Sequence, residues 1–156
     1  MSEFFEVVSP NEAISKMISH NDFPTLKSET VDTISCHNRI TSEDVISNSD
    51  LPHFDRSSMD GYAIKSNDST GVSSSSPNYI KVTEEIKMGH TPSKKLKNGE
   101  CARIFTGGMI PQGADSVIME EDTEILNDNF IEIKKSLSVG ENIIFKGEET
   151  KKNKLI

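Results

Sequence analysis

The chain has no tryptophan, and aromatic residues make up only 6% of its 156 positions. Hydrophobic residues of all kinds reach 33%, a low share for a globular domain. One deep core is therefore not expected; thin, elongated layers are. Cysteine is also scarce. Cys36 and Cys101 lie far apart, and neither has a Cys or His neighbour at metal-ligand spacing. That excludes a disulfide scaffold and suits free thiols in a reduced compartment. The four histidines (His20, His37, His53, His90) form no cluster. Bases are outnumbered, 17 against 25 acids, for a formal net charge of −8. General nucleic-acid binding needs a basic footprint and is excluded on that ground. No apolar run approaches membrane-spanning length, and the acidic N-terminus lacks the pattern of a secretory leader. A cytoplasmic protein is expected. There is no Gly-x-x-x-x-Gly-Lys-Ser, no Gly-x-Gly-x-x-Gly and no Ser/His/Asp or Cys/His grouping to propose.

What is present begins with a helix start. Ser9 can cap, Pro10 suits the first helical position, and Glu12 completes a capping box, with Val8 and Ala13 placed for a hydrophobic staple. Ala13, Ile14, Met17 and Ile18 then share one face, and the helix should end near residues 20–22, before Pro24. Residues 30–34 read as a strand, 38–40 as a short helical turn and 43–46 as another short strand. Further on, residues 62–64, 79–86, 101–105, 116–119, 124–126 and 130–133 are short β runs. Asn127-Asp128-Asn129 makes a hairpin connection between the last two. Residues 66–78, rich in Ser, read as a mobile surface loop. Lys94, Lys95 and Lys97 form the one dense basic patch, most simply a solvated loop.

The densest chemistry lies at residues 51–63, Leu-Pro-His-Phe-Asp-Arg-Ser-Ser-Met-Asp-Gly-Tyr-Ala. Turn formers mixed with carboxylates and aromatics build a shaped, partly exposed loop. Asp60 precedes Gly61, where the chain can turn sharply and present a carboxylate. It can ligate a divalent cation, act as a base or orient a water, or cap local N–H groups. Asp55 has the same options, with the structural one favoured. Thr106-Gly107-Gly108 follows an apolar run, and a hydroxyl before two glycines can open N–H groups to an anion. Arg56 and Arg103 suit surface pairing with carboxylates.

The loop Pro-x-Phe-Asp-x-Ser-x-Met-Asp-Gly-Tyr-Ala resembles the signature of the molybdopterin molybdenumtransferase family, which includes MoeA and the E-domain of gephyrin. Three further stretches agree in order: residues 10–18; Arg103-Ile104-Phe105-Thr106-Gly107-Gly108 through Pro111-Gln112-Gly113-Ala114-Asp115-Ser116-Val117-Ile118-Met119; and Gly140-Glu141-Asn142 with Lys146-Gly147-Glu148-Glu149. The resemblance implies a β-rich α+β fold. A discontinuous helix-and-strand lobe would span 1–48 and 147–156, and a small β-barrel-like lobe 49–146. It implies the N-terminal part of an enzyme that inserts molybdate into adenylyl-molybdopterin with release of AMP, using Mg²⁺. The enzyme would work as a homodimer whose site is shared between subunits.

On the same resemblance Asp60 and Thr106 are catalytic. Phe54, Asp55, Ser57, Met59, Gly107, Gly108 and Lys146 contact substrate, and Glu149 contacts metal. Gly108 stands where Ala is usual in the family, Met109 where Pro is common, Lys146 where Arg is usual and Glu149 where Asp is usual. The family's pterin-binding and C-terminal domains would lie beyond residue 156, so this chain alone is expected to be inactive. The alternative is a non-catalytic dimerisation or scaffold module; a small β-domain that binds a sugar or peptide is a remoter one.

Overall fold

The computed structural model describes residues 7–20 and 26–156. The chain divides into two compact units, Met1–Glu43 and Asp44–Ile156. In the first, helix α1 spans Pro10–His20. Its capping box forms as expected. The Glu12 backbone N–H donates to Ser9 Oγ (3.3 Å), and the Ser9 N–H donates to the Glu12 carboxylate (2.8 Å). Val8 and Ala13 are half-buried while the rest of residues 7–20 is exposed, as a staple requires. The expected helix end reaches His20; residues 21–25, with Pro24, lie outside the described residues.

Two strand expectations fail. Residues 30–34 do not form a strand; Thr33–Ser35 is a 3-10 turn, with the Ser35 and Cys36 N–H groups donating to Asp32 and Thr33 carbonyls. A β-branched run becomes a strand only with a ladder partner, and here local i→i+3 bonds take its place. The helical turn expected at 38–40 is instead a tight turn closed from Arg39 N–H to Cys36 O, with Asn38 at φ +61°. In the second unit, the strand expected at 43–46 is reduced to a single bridge, Ile46 to Leu155.

That bridge belongs to a paired base. Residues 45–52 run antiparallel to 147–156, through bonds such as Ser47 N–H to Lys154 O and Leu51 N–H to Thr150 O, both 2.8 Å. Between these segments the chain builds β1 (Arg56–Ser57), β2 (Gly61–Ile64), β3 (Asn78–Ile86), β4 (Glu100–Ile104), β5 (Ser116–Met119), β6 (Thr123–Asn127), β7 (Phe130–Ile133) and β8 (Ile143–Ile144). The six longer strands, β2 to β7, match the six β runs read from the sequence to within a residue. The Asp128-Asn129 turn joins β6 to β7 as a hairpin. β1 and β8 have no counterpart in the sequence reading; they pair with each other, and Arg56 of β1 also bridges Met109.

The main sheet has the order β5-β2-β4-β3-β7-β6, antiparallel except for parallel β3 and β4. β5 and β6 are its two edges, yet only Glu120–Asp122 joins them. A flat sheet of six strands spaces its edges about 24 Å apart, whereas that link reaches about 14 Å at most. The sheet must therefore curl, which gives the barrel-like lobe. Its two faces carry separate small cores. Tyr62, Ile64, Ile80, Cys101, Ile118, Ile131, Ile133 and Leu137 fill one. Ala63, Ile86, Leu96, Ala102, Ile104 and Val117 fill the other. In β3, Ile80 and Val82 face the first core but Ile86 faces the second. A bulge between Val82 and Glu84 changes the parity.

The serine-rich segment is more ordered than expected. Ser66–Ser69 forms a 3-10 turn whose start is held by the Asp115 carboxylate, at 2.6 Å from Ser66 N and 3.1 Å from its hydroxyl. Buried Ser69 accepts the Leu137 N–H (2.9 Å).

Gly61 sits where β2 passes β5 so closely that a Cβ would lie 1.9 Å from the Ile118 carbonyl oxygen. Gly61→Ala should destabilise the second unit by about 3 kcal/mol or more, since backbone must move to admit the methyl. Urea denaturation tests this; an unchanged midpoint would contradict the close approach.

Candidate functional site

The strand directions bring the site together. β3 and β4 run parallel in the register Glu85 to Arg103 and Ile86 to Ile104, so the turns after both strands emerge at one end of the sheet. β2 runs antiparallel to β4 with Gly61 opposite Ile104, which puts Asp60 at the same end. Phe105 to Gly108 is a tight turn closed by the Gly108 N–H on Phe105 O (2.8 Å), with Gly107 at φ +82°. A positive φ at the third turn position is the type II pattern, which favours glycine. Thr106 stands at the tip.

Asp60 Oδ1 accepts two bonds from Thr106, one from the backbone N–H and one from the hydroxyl, both 2.7 Å. The Thr106 hydroxyl, then its amide, hold the carboxyl below the ordinary aspartate value. Partial desolvation opposes this and the Arg103 charge assists. Asp60 is exposed and anionic at neutral pH, and both bonds fall on one oxygen, Oδ1. These two residues line an open hollow of about 540 Å³ with Glu85, Lys87, Met88 and Phe105. Glu85 and Lys87 were not singled out from the sequence. Lys87 is the sole base in that lining, at the start of a turn closed by His90 N–H on Lys87 O. Arg103 is near but committed. It pairs with Glu120 at 3.1 Å and packs over the Tyr62 and Phe105 rings, 5.7 and 5.4 Å from their centroids.

The glycines do not offer free amides to an anion, contrary to expectation. The Thr106 N–H is on Asp60, the Gly107 N–H on Ser57 O (2.8 Å) and the Gly108 N–H on Phe105 O. What Gly108 provides is space, since a Cβ there would lie 2.7 Å from the Ile104 side chain and 2.8 Å from Phe105 O. Ser57 is buried, and its hydroxyl donates to Met59 O (2.5 Å) while accepting the Met59 N–H (3.2 Å), which shapes the loop around itself. Phe54 and Met59 remain partly open to solvent, 37% and 42% exposed.

The other site residues form a second group. Asp55 accepts the Lys146 backbone N–H at 2.7 Å, the structural role favoured for it. The Lys146 ammonium lies 3.5 Å from Asp50, and Glu149 is held by Arg56 at 2.6 Å. Asn142, at φ +60°, ties β5 to the signature loop; its side chain donates to Val117 O (2.8 Å) and its carbonyl accepts the Ser58 N–H (3.0 Å). Cys36 and Cys101 are both free thiols, and burial pushes Cys101 up to about 12.

Asp60 should titrate below an ordinary aspartate. Thr106→Val keeps the amide donor but removes the hydroxyl, and should move that titration upward without restoring it fully. The folded-state value lies below the unfolded one. The stabilisation is therefore present above the unfolded value and lost as pH falls through the folded one. Carboxyl-detected NMR titration of the two proteins measures both points; identical titrations would remove the hydroxyl from the account.

The family model described as MoeA N-terminal region (domain I and II) matches residues 8–156. A molybdopterin molybdenumtransferase of Staphylococcus aureus is 41% identical over 140 residues, covering 90% of this chain and 33% of the relative. One from Staphylococcus epidermidis is 33% identical over 149 residues, covering 96% and 35%. The chain thus spans about a third of the length of the curated relatives it matches. A molybdopterin biosynthesis MoeA protein from Pyrococcus horikoshii superposes with a TM-score of 0.78 at 32% identity, over 82% of this chain and 34% of that one. A motif set in register, a β-rich α+β fold with a curled mixed sheet and a match across nearly the whole sequence agree: the chain belongs to the MoeA N-terminal region family.

Proposed function

We propose that this chain is the N-terminal part of an enzyme that inserts molybdate into adenylyl-molybdopterin with release of AMP. The observation that carries this reading is the Asp60 carboxylate fixed by the Thr106 amide and hydroxyl at the rim of an open hollow. The names of the staphylococcal relatives supply the reaction class.

The chemistry of the pair narrows its role. A general base works best with a value near the operating pH, and Asp60 is held well below that range. It acts instead as a fixed anionic acceptor, with Oδ2 orienting a substrate N–H or O–H, or a water. Because the Thr106 hydroxyl donates to Oδ1, its own lone pairs face outward as acceptors. Anionic substrates meet two carboxylates here, Asp60 and Glu85, and Lys87 offsets that repulsion from the same lining. Phe54 and Met59 offer apolar contact area, and the remaining pterin contacts come from the rest of the polypeptide in a second subunit of a homodimer.

The resemblance implies a magnesium ion, a cation commonly held by one or two carboxylates together with substrate phosphates. Among the described residues no cluster of three or more His, Cys, Asp or Glu side chains is placed to hold a metal, and Glu149 is engaged by Arg56. No step is therefore routed through the ion.

In the full-length protein, Asp60→Asn should lower molybdenum insertion by about a hundredfold or more while dimerisation stays intact. Activity assay and light scattering on the same sample decide this; lost assembly with the chemistry spared would favour the scaffold reading. The isolated 156-residue chain should produce no detectable molybdenum-pterin. Synthesis by the purified chain, followed by cofactor fluorescence, would overturn the shared-site reading.

A further inference from the structure

At the opposite end of β4, four lysines line a second hollow of about 490 Å³. These are Lys81 on β3 and Lys94, Lys95 and Lys97 on the connection from β3 to β4, joined by Val82, Thr83, Glu100 and Asn129. The placement is built. Leu96, between two of the lysines, is buried, and its N–H donates to Gln112 O (2.9 Å). The Glu84 carboxylate accepts the Ser93 N–H, the Ser93 hydroxyl and the Lys94 N–H, at 3.1, 2.8 and 3.2 Å. Glu100 accepts the Lys97 N–H at 2.9 Å. The Lys94 ammonium donates to the Thr83 carbonyl at the β3 bulge, at 2.5 Å.

The two nearby carboxylates are thus engaged by backbone N–H groups. Among the described residues no carboxylate lies within ion-pair distance of Lys81, Lys95 or Lys97, and only Lys134, Lys135 and Lys146 of the lysines have acidic partners. In a chain of net charge −8, four lysines around one hollow are a local concentration of positive charge. A multiply charged anion can meet several of these ammonium groups at once. No aromatic ring lines the hollow, so nothing there stacks on a base or a pterin. Lysines bind phosphoryl groups as point charges, without the planar fork that favours carboxylate. We propose that this hollow is a binding site for a small phosphoryl polyanion, separate from the Asp60–Thr106 site.

The test is a titration of this chain with pyrophosphate, followed by backbone amide NMR, against sodium chloride at equal ionic strength. Shifts should concentrate at Lys81, Lys95, Lys97 and Glu100. K95A/K97A should weaken binding about tenfold or more. K151A, far along the sequence and outside the hollow, should leave it unchanged, and retained amide dispersion shows that the variants fold. The proposal is overturned by shifts spread over every exposed lysine, by equal shifts with chloride, or by unaltered binding in K95A/K97A. A glutamate-rich peptide that moves these amides when pyrophosphate does not would also overturn it, in favour of an acidic protein partner.

Discussion

The parallel pairing of β3 with β4 is the constraint from which the rest of the second unit follows. Parallel neighbours cannot be joined by a tight hairpin, so the chain after Ile86 must travel back along the sheet before entering β4 at Glu100. That return path lays Leu96 into one core and sets the lysines beside Lys81. The same pairing aligns the outgoing ends of both strands, so the turns that carry Lys87 and Thr106 meet at one rim with Asp60. An antiparallel β3–β4 pair would have separated them. The bulge in β3 completes the arrangement by turning Ile86 toward the second core while Ile80 keeps to the first.

A second theme explains the acidic composition. Much of this chain is turn and short strand, and such backbone leaves N–H groups without ladder partners. Carboxylates supply many of the missing acceptors. Asp50 takes the Lys152 N–H, Asp55 that of Lys146, Asp60 that of Thr106, Asp68 that of Gly99, Asp115 that of Ser66 and Glu148 that of Phe145. These acids act as fixed caps on loop geometry, and the negative charge is a by-product of how the loops are held. The Asp60–Thr106 pair is one member of this set. It differs from the others in lining that open hollow, and it shares with the Asp115–Ser66 pair the binding of a hydroxyl as well as an amide.

Local signals were legible in the sequence; long-range ones were not. The capping box of α1, the six strands of the main sheet and the Asp128-Asn129 hairpin depend on residues close together in the chain, and all were readable. β1 and β8 have two residues each and pair Arg56 with Ile144 and Ser57 with Ile143, a long-range match that no local pattern announces. Residues 30–34 show the converse, a stretch rich in β-branched residues that enters a 3-10 turn in place of a strand. At the site, Asp60 and Thr106 were legible through their motifs. Glu85 and Lys87 were not, because their place beside Asp60 comes from the strand order. The amides of Gly107 and Gly108 looked available in the sequence and prove to be taken by Ser57 and Phe105, an accounting that needs the fold.

The paired base of residues 45–52 and 147–156 carries one more consequence. Because both ends of the intervening hundred or so residues leave from adjacent rungs, everything between them is topologically an insert hung from a single stem. Evolution can resize or regraft such an insert without altering the register of the stem. The hollows on the curled sheet can therefore diversify between relatives while the chain on either side keeps its course.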